Sequence, residues 1–145
     1  MNKAITTISK PPKKAFRVLV VDDNLSDIEL TTIQLGQAWP FEHDMAVESV
    51  ASGKEALARL QRERFALLIL DWQMPEVNGR EILHHVRKTG ARMAVIVLSG
   101  VDRDDIADNL ESHGAAYLNK NEMNHKSLHD AIATSLRLLG HLPAA

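Results

Sequence analysis

The chain has no cysteine. Disulfides, thiolate metal sites and thiol catalysis are thereby excluded. No apolar run approaches the ~20 residues that span a bilayer. The N-terminus lacks the charged-then-apolar order of a signal peptide. The expectation is a cytoplasmic protein without membrane contact. Charge of one sign is also scarce. A formal net charge of −2 gives no bulk attraction to nucleic acid or anionic lipid. Internal repeats and low-complexity segments are missing as well. What remains is an ordinary globular composition, 45% hydrophobic and 25% charged, over 145 residues. That length suits one domain with a single core.

Residues 1–15 differ from the rest. "KPPKK" (10–14) follows a Thr/Ser-containing stretch with no periodicity, and the segment reads as a flexible arm. The domain is expected over 16–140, with 141–145 as a tail. From residue 16 onward, apolar and amphipathic runs alternate. "FRVLVV" (16–21) reads as a strand. Residues 26–38 read as a helix, with Ser26 and Glu29 in capping-box spacing. "MAVESV" (45–50) alternates as an edge strand should. Ser52 and Glu55 open a second helix over 52–64. "FALLIL" (65–70) is continuously apolar. Asn78 caps a helix over 78–88, closed by Gly90. "MAVIVLS" (93–99) is another apolar strand. Asp102 opens a helix over 102–113, stopped by Gly114. "AAYL" (115–118) is a short strand. The last helix, 124–139, carries Leu128, Ile132, Leu136 and Leu139 on one face.

Five βα units with short connections argue for a parallel sheet with helices on both faces. The most apolar strands belong inside and the weaker ones at the edges. A flavodoxin-like, doubly wound sheet of order 2-1-3-4-5 meets that requirement. Ligands bind such sheets at the carboxyl ends of the strands. Strand one ends there in Asp22 and Asp23, strand three in Asp71, and strand four in Ser99 before Gly100. Strand five leads through Tyr117 to Lys120. Three carboxylates held close repel one another. A hard divalent cation such as Mg²⁺ relieves the repulsion and takes oxygen ligands. Lys120 adds a point charge for a carboxylate or phosphoryl oxygen. Ser99 adds a donor, and Gly100 leaves space for a tetrahedral group. The set fits phosphoryl transfer onto a carboxylate.

Four segments together, "VVDDN" (20–24), "LDWQMPEVNG" (70–79), "VLSG" (97–100) and "YLNK" (117–120), resemble the receiver domain of two-component response regulators. The resemblance implies that Asp71 accepts a phosphoryl group from a histidine of a partner kinase. It implies that Asp23 binds Mg²⁺ directly, Asp22 mainly through water, and Gln73 through its carbonyl. Ser99 and Lys120 would contact the phosphoryl oxygens, and Tyr117 would change rotamer as Ser99 moves. Met74, Pro75 and Gly79 would shape the loop after Asp71. Gln73 and Val101 would tune hydrolysis of the acyl phosphate. The changed surface would be formed by the fourth helix, fifth strand and fifth helix. Such a protein is a phosphoacceptor with autophosphorylation and slow autodephosphorylation chemistry rather than a conventional enzyme.

The family usually has a cis-bonded proline after the lysine. Asn121 stands there instead. A non-proline cis bond costs about 3 kcal/mol more than trans, so a trans bond is expected. Only "GHLPAA" follows the last helix, so the reading is a stand-alone receiver acting through association. Its partners would be a sensor histidine kinase, with phytochrome-type kinases one class, and a downstream protein. Leu138 and Leu142 offer a homodimer interface. The alternative is a degenerate receiver that binds partners without being phosphorylated. A dehalogenase-type phosphatase needs a second Asp where Gln73 stands. A zinc site at His125 and His129 lacks a third ligand.

Overall fold

The computed structural model describes residues 16–39, 44–90, 92–100, 110 and 113–140. Five strands form one parallel sheet of order β2-β1-β3-β4-β5. They are β1 (Phe16–Val21), β2 (Met45–Val50), β3 (Leu67–Asp71), β4 (Ala94–Ser99) and β5 (Ala115–Asn119). Four described helices accompany them: α1 (Leu25–Ala38), α2 (Gly53–Arg62), α3 (Gly79–Lys88) and α4 (His125–Gly140). The expected flavodoxin-like order holds, with the two least apolar strands at the edges. The arm 1–15, Val101, most of the helix expected over 102–113 and Leu142 lie outside the described residues.

The sheet is covered on both sides because its strands are apolar on both sides. Leu19, Val21, Leu68, Leu70, Val95 and Val97 face Ala56 of α2 and Ile82, Leu83 and Val86 of α3. Val18, Val20, Leu67, Ile69, Ile96 and Leu98 face Ile28 and Leu35 of α1 and Leu128 and Ile132 of α4. Leu136 and Leu139 close the margin of this second layer. Trp39, at the end of α1, meets Phe16 edge-on at 4.7 Å between ring centroids.

Caps fix where the helices begin. Ser52 accepts from the Glu55 N–H. Asn78 and Glu81 form a complete capping box, and Gly90 ends the segment at φ 78°. One expected cap is corrected. Asn24, not Ser26, opens α1: its side chain accepts from the Asp27 N–H at 3.0 Å. The helix therefore starts one residue earlier, at Leu25. Both side chains suit an N-cap, but Asn24 is the one in extended conformation at the end of β1's short turn. Starting there puts Asp27 in the first turn, on the same rim as the strand-end acids.

Candidate functional site

The site lies at the carboxyl ends of β1, β3, β4 and β5. Asp71 is the last residue of β3 and its side chain is 6% exposed. A carboxylate this deep needs partners. The Gln73 N–H donates to Asp71 Oδ1 at 3.1 Å, and Lys120 Nζ stands 3.4 Å from Asp71 Oδ2. Burial, and then the neighbouring charge of Asp22, push the Asp71 carboxyl up to about 6, against the pull of the Gln73 N–H and Lys120.

Asp22 is fully buried beside it. Its Oδ1 accepts from the Asn24 N–H at 3.0 Å. Its Oδ2 has Lys120 Nζ at 3.0 Å, close enough for an ion pair but outside hydrogen-bond alignment. Asp23 is exposed on the next residue. Asp22, Asp23 and Asp71 each present one carboxylate oxygen, and all three oxygens lie within 4.8 Å of one another. This is the one group of three or more such ligand residues among the described residues, and no histidine belongs to it. An all-oxygen donor set with a buried carboxylate oxygen that makes no hydrogen bond suits a hard divalent cation such as Mg²⁺.

Lys120 arrives from beyond β5. The Asn119 side chain accepts from the Asn121 N–H at 2.8 Å and opens a short 3-10 turn over Lys120–Glu122. The Lys120–Asn121 bond is trans, as expected for Asn121. The ammonium contacts Asp27 Oδ2 at 2.9 Å, Asp22 Oδ2 at 3.0 Å and Asp71 Oδ2 at 3.4 Å. Burial alone would lower its pKa. The hydrogen bond to Asp27, the adjacent Asp22 carboxylate and the charge of Asp71 outweigh that and hold it above its ordinary range.

Ser99 is buried at the end of β4, in register with Asn119 of β5. Tyr117 is half-buried against the α2–α3 side of the core and sits opposite Val97. The loop after Asp71 is tightly backed. Met74 is buried in the core. A Cβ on Gly79 would come within 2.9 Å of the Asp71 carbonyl oxygen and 2.8 Å of Trp72 Cα. A Cβ on Gly53 would meet Val77. Gln73 is exposed on this loop.

The expected residues Asp22, Asp23, Asp71 and Lys120 thus converge. Two participants escaped the sequence reading. Asp27 makes the shortest contact to Lys120, and Gly53 supports the loop after Asp71. An acid one turn into the helix after "DD" was the available signal for the first. No sequence signal marked the second.

The family model for "Response regulator receiver domain" matches residues 18–133. Histidine kinase CKI1 of Arabidopsis thaliana is 33% identical over 135 residues, which is 77% of this chain but 12% of that protein. The chain therefore spans a small part of the length of this curated relative. A CheY-like receiver domain protein from Methanospirillum hungatei JF-1 superposes with a TM-score of 0.72 at 26% identity. The match covers 88% of this chain and 98% of that one. The bacteriophytochrome response regulator RtBRR gives 0.71 at 28% identity, over 90% and 81% of the two chains. With most of its length matched by the family model and the same sheet order carrying the acids to one rim, this chain belongs to the response regulator receiver domain family.

Proposed function

We propose that Asp71 accepts a phosphoryl group from a phosphohistidine of a partner kinase, in a Mg²⁺-dependent reaction. We further propose that the modified protein signals by presenting a changed surface to another protein. The observation that carries this reading is the convergence of Asp22, Asp23 and Asp71 within 4.8 Å, with Lys120 Nζ 3.4 Å from Asp71. Receiver domains bind Mg²⁺ at such an acid cluster. Here Asp22, Asp23, Asp71 and the Gln73 carbonyl would hold it, and the bound ion would offset charge on the transferring phosphoryl group.

In the transfer, an Asp71 carboxylate oxygen bonds to phosphorus as the P–N bond to the donor imidazole breaks. The imidazole keeps the bonding electron pair, and an acyl phosphate results. Asp71 must be ionised to attack. Its pKa, raised to about 6, still lies below neutrality, so the ionised form is available at pH 7. Lys120 supplies positive charge where the new phosphoryl oxygens collect. Ser99, at the end of β4, would donate to one of them, and Tyr117 would follow its movement.

Tyr117 also lines a groove of about 340 Å³ with Ala115, Ala116, Ser127, Asp130 and Leu138, between β5 and α4. A turn of that ring would alter this surface, which is the reading offered for output. Leu138 would contribute to a homodimer if one forms on the same face. Likeness to a bacteriophytochrome response regulator makes a phytochrome-type kinase one candidate donor. No described helix is long and apolar enough to cross a membrane.

The test is incubation with acetyl phosphate and Mg²⁺, read by intact mass. One added phosphoryl group is expected, lost in Asp71→Asn. Labelling that survives the substitution would move the acceptor elsewhere. Absence of any labelling, from acetyl phosphate or a kinase, would favour the degenerate binding module. Lys120→Ala should slow the reaction. An unchanged rate would mean that Asn121 and its turn have taken the lysine out of its usual role.

A further inference from the structure

Lys120 is shared unequally. Its shortest contact, 2.9 Å, is to Asp27, which belongs to neither the ion-binding acids nor any strand end. Asp71, the residue it would have to serve, is the farthest of its three carboxylates at 3.4 Å. Resting on the proposed acceptor role of Asp71, we propose that Asp27 is a positioning residue that competes with the phosphoryl group for Lys120, and so sets how readily Asp71 is modified.

Two features hold the lysine in this position. The Asn119 side chain and the 3-10 turn fix the Lys120 backbone. Asp27 is fixed in turn by the cap of α1, where its N–H donates to Asn24. The ammonium therefore bridges α1 and the end of β5 across 93 residues of sequence. A phosphoryl group on Asp71 adds between one and two negative charges and three acceptor oxygens at this point, by analogy with hydroxyl phosphorylation. An ammonium has three protons to give. Asp27 draws on one of them at 2.9 Å while the bond toward Asp71 is long at 3.4 Å, so a closer approach of the ammonium to the phosphoryl oxygens requires loosening from Asp27. The Asp27 carboxylate also leaves a negative charge facing the incoming group.

Asp27→Asn keeps the backbone N–H that Asn24 caps, so α1 is retained. At saturating Mg²⁺ the variant should be phosphorylated by acetyl phosphate about twofold to fivefold faster than wild type, the scale of one part-exposed ion pair. Damage to the site would slow the reaction, so an acceleration separates competition from a structural role. The same substitution in a Lys120→Ala background should give no acceleration. A rate that is unchanged or lower in Asp27→Asn overturns the proposal. So does an equal acceleration without the lysine, which would assign the effect to bulk charge. Asp71→Asn is run alongside. Labelling that persists there defeats the parent reading, whereas Asp71-dependent labelling with no gain in Asp27→Asn defeats this one alone.

Discussion

Gly53, the first residue of α2, stands so close to Val77 that a Cβ on it would lie 2.3 Å from the Val77 carbonyl oxygen and 2.7 Å from Val77 Cβ. Val77 belongs to the loop between Asp71 and α3, so α2 butts against the backbone that shapes the site. Glycine to alanine at an exposed helix position stabilises by up to about 1 kcal/mol. Here the neighbour is backbone, and it cannot move aside cheaply. Gly53→Ala is therefore expected to lower stability by about 1–3 kcal/mol, the usual cost of overpacking. Urea unfolding measures this. Phosphorylation should slow as well, because the displaced loop carries Gln73 and begins at Asp71. A stabilised Gly53→Ala would mean that the loop yields freely.

The same loop stores strain at Glu76, a non-glycine residue at φ 65°. A left-handed conformation costs an L-residue about 1–2 kcal/mol, while glycine loses about 0.5–1 kcal/mol more entropy on folding. Glu76→Gly should thus be neutral or stabilising by up to about 1 kcal/mol. Glu76→Val should destabilise, since a β-branched side chain tolerates this region worst. Chemical denaturation of the two variants gives the comparison. A stable valine variant would show that the loop can adopt another conformation.

These two sites mark where sequence reading stops. The alternation of "FALLIL" and "MAVIVLS" with amphipathic helices was legible because strands buried on both faces must be continuously apolar. Asp22, Asp23, Asp71 and Lys120 were legible because strand order sends strand ends to a common rim. The Gly53–Val77 contact and the Asp27–Lys120 bridge were not. Each depends on the rotation of a helix about its axis and on which side of the sheet it lies. No local pattern carries that. The start of α1 was misread for a related reason: Asn24 and Ser26 are both good caps, and only the length of the turn after β1 decides between them.

At the opposite pole, Arg17 and Arg59 interleave with Glu48 and Glu63. Arg17 reaches both acids at 2.7 Å, and Arg59 pairs with both. The Arg17 guanidinium lies 4.4 Å above the Phe65 ring. Hydrogen bonds from Arg59, then from Arg17, pull the Glu63 carboxyl from its ordinary 4.5 down to about 2. A carboxyl lowered on folding adds stability that is complete above its unfolded pKa and vanishes as pH falls through the folded one. The network should therefore weaken from about pH 4.5 down toward about pH 2. Glu63 keeps 28% side-chain exposure, so screening limits its share to about 1 kcal/mol. Glu63→Gln should be less stable than wild type near neutrality, with the difference shrinking as pH drops. Urea midpoints at several pH values decide it. A difference independent of pH would assign the effect to something other than the charge of Glu63.

Removing the divalent ion should matter more to this fold than its size suggests. Asp22 and Asp71 are both buried, and Asp23 adds a third acid whose oxygen lies within 4.8 Å of theirs. Lys120 is the cation that contacts two of them, and Asp27 takes part of it. Mg²⁺ at 100 times its dissociation constant should raise stability by about 2.7 kcal/mol if it binds only the folded chain. Thermal unfolding with Mg²⁺ and with EDTA measures the gain. In Asp23→Asn the gain should fall sharply, because one of three carboxylate ligands is gone. Without the ion, however, that variant should be at least as stable as wild type, since a like charge has left the cluster. The opposite signs separate a ligand from a structural residue. A Mg²⁺-induced shift that Asp23→Asn leaves intact would put the ion at some other site on the protein.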